Sequence, residues 1–378
     1  MQNIILVFLT SLLVVIFGIP SIITVAKQKG LYDKPNHRKL HTNKIPRLGG
    51  LAIIAGFSIA VSIWGLPEAM TSRLQYLQAA LIILFFSGLK DDIVMLSPMK
   101  KLMSQIFATA LVVVGEDIRI TGFFGLFGIE SIPIWASYAL SIFTIVVITN
   151  AFNLIDGIDG LAGGLGFIIS VTFGLWFNFI DQVGWAIIAF GLSGALLGFL
   201  VFNFNPAKIF MGDAGSLCTG FLLAIMAIKF IEFNNPNVQN FYKITTAPVI
   251  AIAILIIPLY DTLRVFTIRI LKKKSPFTAD RNHLHHNLLK TGMGHKEVAM
   301  LMYIVNVVFV LIAFLMKDSN ILSMLLIIGS LAVALSQIPV YINSHRIAEL
   351  EAEGEILLSK EIDERFKPSA KDTDISNN

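Results

Sequence analysis

A single cysteine, Cys218, among 378 residues excludes an internal disulfide and leaves any metal site without a second thiolate. It lies in an apolar run and reads as a small buried hydrophobe. Charge is scarce as well: 14% of residues are Asp, Glu, Lys or Arg, against 55% apolar. With a mean hydropathy of +0.76, that balance excludes a soluble globule and implies a polytopic membrane protein. The sequence has no GxxxxGK[ST] phosphate loop, no HExxH zinc motif and no GxSxG nucleophile elbow, so common ATP-driven, zinc-hydrolase and serine-hydrolase machinery is missing. It also lacks a repeat of fixed period and any low-complexity tract.

What is there is a series of apolar runs, each of roughly 17 to 25 residues, the length that crosses a bilayer as a helix. Eleven are expected, near 3–26, 48–66, 74–90, 101–115, 133–151, 162–180, 184–202, 213–232, 246–270, 298–316 and 320–342, with ten as the alternative because runs three and four are short. The fold class is all-α. The first run has no basic segment before it and no small-residue cleavage site after it, so it is expected to stay attached. Lys and Arg accumulate on the cytoplasmic side of membranes. Placing the N-terminus outside puts 24 of the 29 basic residues inside, and eleven crossings leave the C-terminus inside too. The net charge of +4 is then a topology signal that needs no nucleic acid. Residues 1–345 form the expected transmembrane catalytic domain, and 346–378 a polar cytoplasmic tail. Gly194 and Gly198 have the GxxxG spacing of close helix packing.

Five polar clusters interrupt the apolar runs: KPNHRKLHTNKIPRLGG (34–50), LKDD (89–92), NAFNLIDGIDG (150–160), NFNPAKIFMGDAGS (203–216) and SPFTADRNHLHH (275–286). The helix count puts all five on one face of the membrane. Ionisable groups at membrane depth are costly and mark function. Asp91 and Asp92 either face water at a helix end or help to hold Mg²⁺ and accept a proton. Asn150, Asn153, Asp156 and Asp159 follow at three-residue spacing, so a helix would aim all four into one region. Asp213 opens the eighth run and reads either as an N-cap or as a Mg²⁺ ligand beside a phosphate. His283, His285 and His286 could be zinc ligands, or could bind phosphate and carry protons with Arg281. Asp261 and Arg264 have the spacing of an ion pair along one helix. Arg38, Lys39, His41 and Arg47 suit an anionic headgroup or nucleotide, or are only a positive-inside loop.

In this order the motifs DKPNHRKLHTNKIPRLGG, LKDD, NAFNLIDGIDGLAGG, FNPAKIFMGDAGS and SPFTADRNHLHH resemble those of the polyprenyl-phosphate N-acetylhexosamine-1-phosphate transferases, over about the first 345 residues. The resemblance implies a multi-pass enzyme of the bacterial inner membrane with a cytoplasmic active site. It would move sugar 1-phosphate from a UDP-sugar to polyprenyl phosphate within the membrane lipid and release UMP, with Mg²⁺ or Mn²⁺ as cofactor; a homodimer is also suggested. By position, Asp91 and Asp92 resemble the acidic pair and Asn153, Asp156 and Asp159 the nucleotide and metal region. Asp213 resembles the metal ligand, with Asn153 beside it, and His283, His285 and His286 the motif that contacts the sugar nucleotide. Asp91, Asp92, Asp156 and Asp159 are thus the catalytic candidates, and Asn150, Asn153, Lys100, Arg47, Arg281 and the three histidines the substrate-binding ones. His-Leu-His-His in place of three consecutive histidines favours the N-acetylglucosamine branch over the peptidoglycan one. The chemistry favours direct attack by the lipid phosphate on the β-phosphorus, with Asp91 as proton acceptor, and the alternative is a two-step route through an aspartyl-phosphate. The rival from another class, a secondary transporter, predicts midplane clusters and an inverted repeat, and the sequence has neither.

Overall fold

A computed structural model describes residues 2–31, 45–65, 74–235, 242–273 and 282–352. These are helical, with no strand among the described residues. In chain order the helices are α1 (Gln2–Lys29), α2 (Gly49–Trp64), α3 (Leu74–Val94), α4 (Pro98–Gly115), α5 (Ile134–Leu154), α6 (Leu161–Phe179) and α7 (Val183–Asn203). They continue with α8 (Gly212–Phe233), α9 (Ala247–Ile254), α10 (Ile256–Leu271), α11 (Leu284–Lys290), α12 (His295–Leu315) and α13 (Ile321–Ala352). Each of the eleven apolar runs falls on one of these helices, except that 246–270 is α9 and α10 together.

Among the described residues, seven helices are long and apolar enough to cross a membrane, and an eighth crossing results if α9 and α10 count as one span. The chain is thus a multi-pass membrane protein. Four helices fall outside that set: α11 has only 7 residues, and the other three are left out for readable reasons. The apolar helix α2 has only 16 residues, α3 ends in Lys90, Asp91 and Asp92, and α4 opens with Lys100 and Lys101.

The expectation of one straight helix over 246–270 is corrected: α9 and α10 meet at 82°. The carbonyl of Ile254 should accept from the amide four residues on. That residue is Pro258, which has no N–H and whose ring crowds the same carbonyl.

The centre of the bundle is α8, buried all round from Ala214 to Ile228, the pattern of a helix enclosed by others. It packs against α2, α3, α5 and α6. At the margins, α1 and α13 expose Ile5, Leu9, Phe17, Leu322, Leu326 and Ile338. Such apolar surface is costly in water and unremarkable in lipid. The α1–α7 contact uses the expected glycines: a Cβ on Gly194 would lie 2.3 Å from the Phe8 carbonyl oxygen, and one on Gly198 2.8 Å from that of Leu12. At its C-terminal end α13 continues beyond 345 to Ala352, while residues 353–378 lie outside the described residues.

Candidate functional site

The site is built around the N-terminus of α8, where a helix presents amides that have no partner within it. Gly212 turns the chain into α8 at φ +71°. A side chain there would meet the Arg47 carbonyl oxygen at 2.3 Å and the Asp92 carboxylate at 2.7 Å, so glycine is required twice over. The segment before α2 is tied to the same turn: the Phe210 amide donates to Pro46 (2.9 Å), and the Gly50 amide to Met211 (2.8 Å).

Asp92, from the last turn of α3, caps this end. Its Oδ1 accepts the Asp213 amide at 2.8 Å and its Oδ2 the Ala214 amide at 3.0 Å. The two amides and the positive end of the helix dipole favour its charged form, but burial outweighs them and pushes the carboxyl up to about 7. The cap of α8 therefore comes from another helix, which frees the Asp213 side chain from the N-cap role the sequence allowed it. Asp213 Oδ1 accepts Asn153 Nδ2 at 3.0 Å, and its Oδ2 pairs with Lys101 Nζ. Lys101 also reaches Asp91 Oδ2 at 3.3 Å, while Asp91 Oδ1 accepts the Leu96 amide. One ammonium thus bridges two carboxylates from α3 and α8.

Lys101 was missed in the sequence, where its neighbour Lys100 was preferred. Lys100 is exposed. The signal existed: Lys101 precedes Ser104 and Gln105 by three and four residues, which makes one polar face on an otherwise apolar helix. Ser104 meets Ser87 of α3 at 2.7 Å, so that face points into the bundle.

The four residues spaced by three do not converge, because α5 ends at Leu154 and the chain then turns. Asn150 pairs with Gln105 of α4 and donates to Val146 at 2.8 Å. Asn153 joins Asp213 and also donates to Ser216 Oγ at 2.6 Å. Asp156 accepts the Gly212 amide. Loss of hydration pushes its carboxyl up to about 7, reinforced by the Asp213 and Asp92 carboxylates and opposed by Arg47. Asp159 faces elsewhere: its Oδ2 accepts Asn205 Nδ2 and the Ala207 amide, both at 3.0 Å, and its Oδ1 lies 3.5 Å from His295 Nδ1. Burial would raise its carboxyl, but His295 and these donors prevail and hold it below the usual range.

The histidine segment is anchored by α10. Asp261 Oδ2 lies 2.8 Å from His283 Nδ1, and its Oδ1 accepts the Leu284 amide at 2.7 Å. Arg264 Nη1 donates to the Asn282 carbonyl at 2.8 Å. The expected Asp261–Arg264 ion pair is therefore corrected, since both side chains hold the following loop. His285 is 1% exposed, and a methyl on Gly157 would lie 2.5 Å from its Nε2. The histidine segment thus rests on the α5–α6 turn beside Asp156. Burial, helped by His286, lowers the His285 imidazole to about 3, so it is neutral and carries one N–H without a charge. Arg281, Arg38, Lys39 and His41 lie outside the described residues.

Among the described residues no three His, Cys, Asp or Glu side chains form a group arranged to hold a metal ion. Mg²⁺ commonly uses one or two carboxylates and completes its shell with water and phosphate oxygens. Asp213, with Asp91 across Lys101 and Asn153 beside it, fits that hard, oxygen-rich requirement.

Comparison with known proteins is consistent with this geometry. The sequence profile described as Glycosyl transferase family 4 matches residues 74–231, from the start of α3 almost to the end of α8. The chain is 33% identical to a probable undecaprenyl-phosphate N-acetylglucosaminyl 1-phosphate transferase of Bacillus subtilis (strain 168), over 88% of this chain and 90% of that one. It is 31% identical to the decaprenyl-phosphate N-acetylglucosaminephosphotransferase of Mycobacterium tuberculosis (strain ATCC 25618 / H37Rv), over 80% of each. Identity is 29% to the undecaprenyl-phosphate alpha-N-acetylglucosaminyl 1-phosphate transferase of Escherichia coli (strain K12), over 73% of this chain and 74% of that one.

Proposed function

Because this chain belongs to glycosyl transferase family 4, we propose that it transfers N-acetylglucosamine 1-phosphate from UDP-N-acetylglucosamine to undecaprenyl phosphate and releases UMP. The product would start a lipid-linked cell-envelope polysaccharide. The observation that carries the reading is the Asp91–Lys101–Asp213–Asn153 cluster at the amide end of α8. Phosphoryl transfer needs positioned cations and oxygen ligands more than it needs a strong base.

In the direct route, an oxygen of the lipid phosphate bonds to the β-phosphorus of the nucleotide sugar. The bond from that phosphorus to the bridging oxygen breaks, and UMP leaves with the electron pair. Lys101, held between two carboxylates, stands ready to neutralise a phosphate oxygen as charge shifts onto UMP. Asp213 and Asn153 are the residues that would hold Mg²⁺, which when bound offsets the charge of the diphosphate. Asp92 positions: its carboxylate keeps the first turn of α8 in place, and so keeps Asp213 on the cluster. Asp91 is the proton acceptor in this scheme, and His285 and His286 offer hydrogen bonds to the donor. The excess of basic residues in one set of loops supports eleven crossings with the N-terminus outside, and hence a cytoplasmic site in the inner membrane.

Purified protein given UDP-N-acetylglucosamine, Mg²⁺ and undecaprenyl phosphate should release UMP only when the lipid phosphate is present. It should prefer this donor to UDP-muramoyl-pentapeptide in direct competition. Release of UMP without lipid, or preference for the pentapeptide donor, overturns the assignment.

A further inference from the structure

The elbow between α9 and α10 leaves the Ile254 carbonyl without its intrahelical donor, because Pro258 occupies the position four residues on. In a bilayer interior such a carbonyl is costly unless something else satisfies it. The donor comes from α12: Asn306 Nδ2 reaches the Ile254 oxygen at 3.0 Å, and Asn306 is 0% exposed. Within six residues of Pro258, α10 then ties itself to the histidine segment and to α13. Tyr260 meets Ser336 Oγ at 2.7 Å, Asp261 holds His283 and the Leu284 amide, and Arg264 holds the Asn282 carbonyl. His285 in turn fits against Gly157 with no room for a methyl.

We infer that Asn306 is a positioning residue for the transfer reaction: by capping the Ile254 carbonyl it fixes the angle of the α9–α10 elbow, and so the placing of Asp261 and the histidine segment against the α5–α6 turn. It touches neither substrate nor reacting atoms and acts through α10. The two groups of the Asn306 amide divide the work unequally. Nδ2 makes the cap, whereas Oδ1 is buried with no hydrogen-bond partner. An apolar residue of similar volume would satisfy packing better than asparagine does, so the donor is what the position is for. The inference rests on the function proposed above only in its kinetic arm.

The test uses the full chain in nanodiscs with spin labels on Ile270 of α10 and Val308 of α12, which are 60% and 41% exposed. Native Cys218 is fully buried and can stay. Asn306→Leu should broaden and shift the label-to-label distance distribution. It should lower kcat/KM for the nucleotide sugar by about ten-fold, the scale of one buried hydrogen bond, while the KM for lipid phosphate holds. Pro258→Ala supplies the missing N–H and keeps the test alive if Asn306→Leu alone fails to fold. It should straighten the elbow and move the distance by itself. Adding Asn306→Leu to it should cost less than about two-fold more, because both substitutions act on one carbonyl. An unmoved distance, equal losses for both substrates, or losses that multiply in the double variant would each overturn the inference. Absence of UMP release by the wild-type protein would count against the proposed function, while the distance measurements would still judge the elbow.

Discussion

The two ends of α8 are both polar, both packed by loops, and chemically opposite. At the C-terminal end, Glu232 accepts the Thr121 amide at 2.9 Å and the Thr121 hydroxyl at 2.7 Å, and that hydroxyl accepts from Asn235. Asn234 donates to the Phe230 carbonyl and accepts the Ile244 amide. Lys229 lies over the rings of Trp185 and Phe233. Here one acid is matched by hydroxyl, amide and cation, and the network closes on itself. At the N-terminal end, Asp91, Asp92, Asp156 and Asp213 gather about Lys101 and Arg47. Among the described residues that end sets four carboxyl groups against two cations, as a site that receives a further cation should. A closed network is there for structure, and an unbalanced one is held ready for a ligand.

The largest effect that would sharpen this contrast is at Asp213. Asp213→Asn should reduce UMP release by about a thousand-fold through loss of a charged oxygen ligand. The thermal midpoint should fall by only a few degrees, because Lys101 loses one carboxylate partner and keeps the other, Asp91. A fall in stability matching the fall in turnover would make the cluster structural after all. A smaller effect is expected at Asp156. Its carboxyl, pushed up to about 7, is largely protonated near pH 6 and largely ionised near pH 8. A dication favours the ionised form, so Mg²⁺ affinity should rise by up to about ten-fold per pH unit across that range, with release of a proton. Calorimetry in buffers of different ionisation heat counts that proton. Asp156→Asn should lessen that slope, leaving what Asp92 contributes, and an unchanged slope would remove Asp156 from the cluster. The smallest effect is at the closed end: Glu232→Gln should lower the thermal midpoint by a few degrees and leave UMP release within about two-fold. A large loss of turnover there would erase the distinction between the ends.

Much of the helical pattern was legible because bilayer-length apolar runs are a strong signal, and each run but 246–270 fell on a single helix. What escaped was direction. Three-residue spacing placed Asn150, Asn153, Asp156 and Asp159 together on the premise that α5 continued, but it stops at Leu154. A pair of adjacent lysines differs by a hundred degrees around a helix, and only the company of Ser104 and Gln105 distinguishes Lys101 from Lys100. His295 joined Asp159 from a helix more than a hundred residues away, and no local pattern encodes such a partner. The elbow was readable in part, since Pro258 stands inside an apolar run. Its capping residue, Asn306, could be recognised only once α12 was seen beside α9.

The elbow also bears on how the protein is made. Membrane helices enter the bilayer in the order of synthesis, and α3, α4, α5 and α8 precede α10 and α12 in the chain. The carboxylates and Lys101 can therefore meet while the ribosome has yet to supply Asp261, His283 or Asn306. For that interval the nascent chain holds an anionic half-site with no elbow and no histidine segment. On the proposed function it could attract a cation but could not yet present a nucleotide sugar to the lipid. Arrival of α12 lets Asn306 reach the Ile254 carbonyl, and on the inference drawn above that contact is the last of the ties that set the histidine segment in place.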